Sequence, residues 1–241
     1  MILISDNKEQ HIIDDIMSHF DKKTVEPGEK LPSENELVNK YRVTRMTVRN
    51  ALTKLEERGY IYSKQGKGRY FKGKTIQIQL HLTGKTSFTD KMKELGYELN
   101  TRNIYCEKIG YDANIFEILN VNEEDAVYKI GRIRYINGEP IAIHNSFVSE
   151  ERFPSIEKDG PDIESIFSYY RKHGYSNFAS SNTLLSITFP TYFEKQLLSC
   201  KSMVPLIVVE GNCIDTDTKK VLEHTKVLYR SDKFKYDISM D

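Results

Sequence analysis

The 241-residue chain has no tryptophan, only three cysteines and no net charge, its 35 basic side chains being matched by 35 acidic ones. Cys106, Cys200 and Cys213 are odd in number and lack the paired spacing of metal ligands, which argues against a disulfide scaffold or a zinc site. No apolar run approaches the roughly 20 residues that a membrane span needs. The opening Met1-Ile2-Leu3-Ile4 is soon followed by Asp6 and Lys8, unlike a signal peptide, so the expectation is a cytoplasmic protein with no membrane partner. His11, His19, His81, His173 and His224 show no metal or triad arrangement and read as surface or packing residues. No nucleophile–base pair is readable, so no catalytic residue, metal or cofactor is expected. What the chain does have is apolar material, 39% hydrophobic with 15 Tyr and 11 Phe, enough to build real cores. Its length favours two domains over one.

The zero net charge conceals an asymmetry. Residues 1–75 carry 15 basic and 11 acidic side chains, and within 40–74 eleven bases face only Glu56 and Glu57. Such a segment is either a solvated charged surface or a footprint for phosphates, and the local pattern has to decide.

Asn7 to Phe20 places Ile12, Ile13, Ile16, Met17 and Phe20 at helical spacing, with Ser5 or Asp6 available as N-cap. After Pro27-Gly28, Ser33-Glu34-Asn35-Glu36 has the form of a capping box and starts a second helix with Leu37, Val38 and Tyr41 inward. Thr44 can cap a third helix, in which Val48, Ala51, Leu52 and Leu55 form the buried stripe and Gly59 supplies the stop. Two strand-like runs, Tyr60–Ser63 and Arg69–Phe71, flank Lys64-Gln65-Gly66-Lys67-Gly68. Three helices and a basic, glycine-rich hairpin make a winged helix-turn-helix. The buried stripe of the third helix turns Met46, Arg49, Asn50 and Thr53 outward and leaves Arg45 on the edge of that face. Arginines near the start of such a helix can fork onto guanine or clamp phosphates. Lys64, Lys67 and Arg69 sit on the hairpin, whose glycines permit close backbone approach.

These stretches (Leu31–Leu37, Val43–Leu52, Leu55–Ile61 and Gln65–Gly68) resemble the GntR family of bacterial transcription regulators over residues 8–72. The resemblance implies that Ser33, Arg45, Arg49 and Gly66 meet double-stranded operator DNA, with Thr47 and Lys67 beside them. Thr44 stands where the family usually has Ser and keeps the hydroxyl. Arg42 replaces a customary small turn residue, and Asn50 replaces a frequent Glu on the DNA-facing side.

Beyond a boundary near 74, Ile76–Leu80 alternates as a strand, and Thr86–Asp90 offers hydroxyls at the start of a helix that Gly96 ends. That helix start is either plain capping or an anion site. Val127–Ile136 and Ile141–Val148 form a hairpin about Asn137-Gly138. Arg132 and Arg134, two apart, share one face of its first strand. They either pair with carboxylates on an exposed sheet or clamp a phosphate or carboxylate. Helices over 162–172 and 192–199 and strands over 205–213 and 221–229 complete an α+β domain. The strand over 205–213 is either buried or part of an interface.

The second half resembles the HutC-type UTRA sensor domain of one GntR subfamily over residues 75–238. The carrying stretches are Ser87–Met92, Arg132–Tyr135, Gly138–Ile143 and Tyr229–Phe234. The resemblance implies a chorismate-lyase-like α/β fold over 75–241, after a winged helix in 1–74, and a small effector, commonly a phosphorylated sugar. It implies that Ser87, Phe88, Thr89, Arg132 and Arg134 hold the anion while Ser165, Glu223 and Tyr229 contact the rest. The blander readings make Glu223 a surface strand residue and Tyr229 a core one. His144 stands where sugar-binding members often have Glu, which points away from the usual amino-sugar phosphate. The expected protein is a homodimeric, effector-released repressor on a palindromic operator. The alternatives are a lyase-like enzyme using the C-terminal domain and a purely architectural DNA binder.

Overall fold

The computed structural model describes residues 3–21, 25–72, 78–81 and 88–237. The chain divides into two compact units. One is Met1–Gln77 with Phe189–Lys195 and Cys200–Val204; the other is Ile78–Thr188, Gln196–Ser199 and Pro205–Asp241. The expected boundary at 74 lies outside the described residues.

The first unit contains α1 (Leu3–Asp21), α2 (Glu34–Tyr41), α3 (Arg45–Glu57) and a hairpin of β1 (Ile61–Lys64) and β2 (Gly68–Phe71). Helix α1 begins earlier than its apolar spacing predicts, so Ser5 and Asp6 lie inside it. Its Ile12, Ile13 and Ile16 pack with Leu37, with Val48, Ala51, Leu52 and Leu55 of α3, and with Ile61 and Phe71 of the hairpin in one buried cluster. Each of the Ile, Leu and Val side chains among these contributes roughly 1.5–3 kcal/mol by leaving water. The capping box forms: the Ser33 hydroxyl accepts the Glu36 N–H at 3.3 Å, and Glu36 accepts the Ser33 N–H at 2.7 Å. Thr44 caps α3 by accepting the Thr47 N–H at 3.2 Å.

Between α2 and α3, Arg42 closes the turn at φ 52°. This left-handed conformation costs a residue with a Cβ about 1–2 kcal/mol, a cost that Arg42 bears and a glycine would not. In the hairpin turn Gly66 has φ 70°, and a Cβ there would meet nothing within 4 Å, so the tip is open to an approaching partner.

The second unit runs through β3 (Ile78–His81), α4 (Phe88–Glu94), β4 (Leu99–Lys108), α5 (Ala113–Leu119), β5 (Val127–Ile136), β6 (Glu139–Ser149), α6 (Ile156–Asp159), a 3-10 turn at Gly160–Asp162, α7 (Ile166–Lys172), β7 (Phe178–Thr188), α8 (Tyr192–Leu198), β8 (Leu206–Asp215), β9 (Val221–Arg230) and β10 (Phe234–Asp237), with part of α8 assigned to the first unit. Six strands form one antiparallel sheet in the order β4-β5-β6-β9-β8-β7, and β3 lies parallel to β10. The helix expected over 162–172 is shorter. It starts at Ile166, and Ser165 is its N-cap, accepting the Ser168 N–H at 3.4 Å.

Alternation decides the layers. Tyr128, Ile130, Arg132, Arg134 and Ile136 of β5 share one face. Tyr128 and Ile130 belong to a cluster with Phe153, Ile166 and Tyr170. Ile136 belongs to another with Met92, Ala142, Tyr229 and Phe234. The two arginines thus sit between two apolar clusters. On the opposite face Val127 and Phe147 pack with Phe116 and Leu119 of α5. At one margin of the sheet lies β7, exposed from Ser180 to Thr188 and without a charged residue along its length.

Candidate functional site

Two regions, one in each unit, carry the chemistry. In the first, Val48, Ala51, Leu52 and Leu55 anchor α3 in the core, and Met46, Arg49, Asn50 and Thr53 face outward, Met46 at 65% exposure. A groove between α2, α3 and the hairpin is lined by Ser33, Glu34, Arg45, Arg49, Gly66 and Lys67, among others. The fold therefore brings together five of the six residues expected at DNA. The sixth, Thr47, is half-buried beside Thr44, their hydroxyls 2.9 Å apart.

Glu34 holds this groove together. Its Oε2 accepts Arg45 Nε at 3.0 Å and Arg49 Nη2 at 3.3 Å, and its Oε1 accepts Arg69 Nη1 at 2.9 Å. The Arg69 guanidinium, then those of Arg45 and Arg49, hold the carboxyl down at about 2, against the opposing effect of burial. Local spacing could not reveal this, because Glu34 meets residues 11, 15 and 35 positions away.

In the second unit a cavity of about 190 Å³ opens on the sheet face that carries the arginines. Phe88, Thr89, Arg132, Arg134, His144, Ser165, Glu223 and Tyr229 all line it; Ser87, expected with them, lies outside the described residues. The pairing register explains the convergence. Arg132 lies opposite His144, His144 opposite Val227, and Ala142 opposite Tyr229, so their side chains rise from neighbouring strands on one face.

Arg132 and Arg134 are only 2% and 3% exposed, which overturns the reading that pairs them with carboxylates on an exposed sheet. Arg132 donates from Nη2 to the Ser146 hydroxyl, and Arg134 donates from Nη1 to the Thr101 hydroxyl and, at 2.8 Å, to the Glu164 carbonyl. Arg132 Nε and Nη1, Arg134 Nε and His144 Nε2 are buried with no hydrogen-bond partner. Burial, then Arg132 alongside, pulls Arg134 down to about 9, so it stays a cation at neutral pH. Burial, then the two arginines, holds His144 well below the usual imidazole range, so it is neutral. Its ring lies 4.9 Å from that of Phe88 and 5.6 Å from that of Tyr229.

Glu223 is buried, not a surface residue, and accepts the Tyr170 hydroxyl at 2.7 Å. Burial raises its pKa and Arg132 opposes the rise. Tyr229 is both core and lining, at 6% exposure. Sequence reasoning missed Ser146 and Tyr170. Ser146 was readable, since it is two residues from His144 on the same strand; Tyr170 was not, since its hydroxyl meets Glu223, 53 positions away. Buried unpaired donors are costly, and the three that Arg132 and Arg134 present in this cavity are of the kind that an acceptor bringing negative charge satisfies best. Among the described residues no group of three or more His, Cys, Asp and Glu could hold a metal ion, and no helix is long and apolar enough to cross a membrane.

A family profile for bacterial regulatory proteins, gntR family, matches residues 8–71, and one for the UTRA domain matches residues 94–235. The HTH-type transcriptional repressor NagR of Bacillus subtilis (strain 168) is 25% identical over 95% of this chain and 93% of its own. The mannosyl-D-glycerate transport/metabolism system repressor MngR of Escherichia coli (strain K12) is 24% identical over 95% of this chain and 94% of its own. Among solved structures, PhnF from Mycobacterium smegmatis has a TM-score of 0.61 at 21% identity, covering 95% of this chain and 98% of that one, a likeness in fold.

Proposed function

Because the chain belongs to the gntR family of bacterial regulatory proteins and carries a UTRA domain, we propose that its arginine cavity binds a small anionic metabolite, a phosphorylated sugar, whose binding releases the protein from its operator. The chain is a DNA-binding transcriptional regulator and not an enzyme; the family and its relatives regulate transcription, which leaves the lyase-like alternative without support. DNA contact is assigned to Ser33, Arg45, Thr47, Arg49, Gly66 and Lys67. Effector contact is assigned to Ser87, Phe88, Thr89, Arg132, Arg134, His144, Ser165, Glu223 and Tyr229. The division of labour falls near residue 74, and the protein works in the cytoplasm.

One observation carries the effector reading: the buried, partnerless N–H groups of Arg132 and Arg134 in one cavity. The size fits a compact ligand, and the sugar class draws support from a relative named for mannosyl-D-glycerate. Release requires that the ligand prefer a DNA-incompetent arrangement, since equal affinity for both would shift nothing. A homodimer on a palindrome follows from the few base pairs that one winged helix can read.

Calorimetry of hexose 6-phosphates against the parent hexoses tests the assignment. The phosphorylated sugar is expected to bind more tightly, and Arg134→Ala to weaken it by about 10- to 100-fold, the equivalent of a charged hydrogen bond. Equal affinity for both sugars, or an unchanged Arg134→Ala variant, would place the anion elsewhere.

A further inference from the structure

We propose that Glu34 is a specificity-determining residue of the DNA interface: by clasping Arg45 and Arg49 it bars them from phosphates and commits them to neutral base edges. The proposal rests on the assignment of α3 as the DNA-reading helix. Glu34 is the first residue of α2, and its side chain is 18% exposed, whereas those of Arg45 and Arg49 are 63% and 55% exposed. The carboxylate takes Arg45 through Nε and Arg49 through Nη2, while Arg69, 22% exposed, ties it to the hairpin. A guanidinium has five N–H donors, so each reading arginine keeps most of its fork for another acceptor.

What that acceptor can be is decided by charge. A DNA phosphate drawn to Arg45 or Arg49 would come close to the Glu34 carboxylate and be repelled by it. The O6 and N7 atoms of guanine are acceptors without formal charge and face no such repulsion. Most protein–DNA affinity is phosphate attraction that carries no sequence information. An anion fixed between two arginines suppresses that part and leaves base readout intact. A merely structural Glu34 would tie α2 to α3 and the hairpin and have no bearing on which DNA is preferred.

The experiment uses the full chain and two 30-base-pair duplexes, one enriched from a randomised pool by the wild-type protein and one of alternating A·T pairs, which has no guanine. Fluorescence anisotropy over a range of salt gives affinity and salt slope for the wild type, Glu34→Gln and Glu34→Asp. Glu34→Gln is expected to bind the A·T duplex about five- to tenfold more tightly than the wild type, with a salt slope steeper by about one. Its preference for the enriched duplex is expected to fall by at least tenfold. Glu34→Asp keeps the charge in the groove and is expected to keep the wild-type slope, which holds the test open should Glu34→Gln fold poorly. Equal weakening on both duplexes with an unchanged slope, or a slope steepened in Glu34→Asp, would overturn the proposal. A wild-type protein that enriches no duplex would instead sink the assignment of α3.

Discussion

Glu34 also sets a pH dependence. Its carboxyl lies at about 2 in the folded chain against an ordinary value of 4.5. The folded state therefore binds this proton less readily than the unfolded one, and stability falls wherever the unfolded chain takes it up. The contribution is fully present above about pH 4.5 and is lost as pH falls through about 2. Urea unfolding of the wild type and Glu34→Gln between pH 3 and 6 is expected to show a constant difference above 4.5 that narrows toward 3. A difference that stays constant to pH 3 would mean that the arginines do not hold this carboxylate in solution. At the same scale, Arg132 and Arg134 were legible as a pair on one face because strand alternation is a local rule. Their burial was not, because it depends on α4 and α7, which cover that face.

Among the elements, the caps of α2 and α3 and the α3 stripe were legible almost to the residue, since Ser33, Thr44 and the apolar positions of α3 act within one or two helical turns. Strands β4 and β7 and helix α5 were not. β4 mixes charged and polar residues on a half-covered margin, and β7 is exposed over most of its length, so neither shows clean alternation. The β4–β5 pair also carries a constraint invisible in sequence. Gly131 lies opposite Tyr105, and a Cβ on it would run into the Tyr105 ring. That ring is held by the Tyr105 hydroxyl donating to Asn145 at 2.6 Å, so it cannot simply swing away. Gly131→Ala is expected to cost about 1–3 kcal/mol as an overpacked site, read as a lower urea midpoint. Gly131→Ala with Tyr105→Ala is expected to recover part of that loss; a single variant as stable as the wild type would show that the ring has room to shift.

At the level of the whole chain, the two-part organisation was legible because the change from helical to alternating pattern is abrupt, and the sign of the local charge changes with it. The partition itself was not, since Phe189–Lys195 and Cys200–Val204 group with the first unit across more than a hundred intervening residues. The bare margin at β7 has a practical consequence for how the protein behaves in concentrated solution. Strands at a sheet margin ordinarily avoid sticking to foreign chains by carrying lysines, prolines or other awkward residues. From Phe178 to Thr188 there is neither charge nor proline, and Leu184 and Ile187 are 67% and 73% exposed. On warming, precipitation is expected to begin by recruitment of further strands at this margin. Ile187→Lys is therefore expected to delay the onset of light scattering in a heating ramp while leaving the unfolding midpoint nearly unchanged. Scattering that begins at the same temperature would show that this margin is already sheltered in solution.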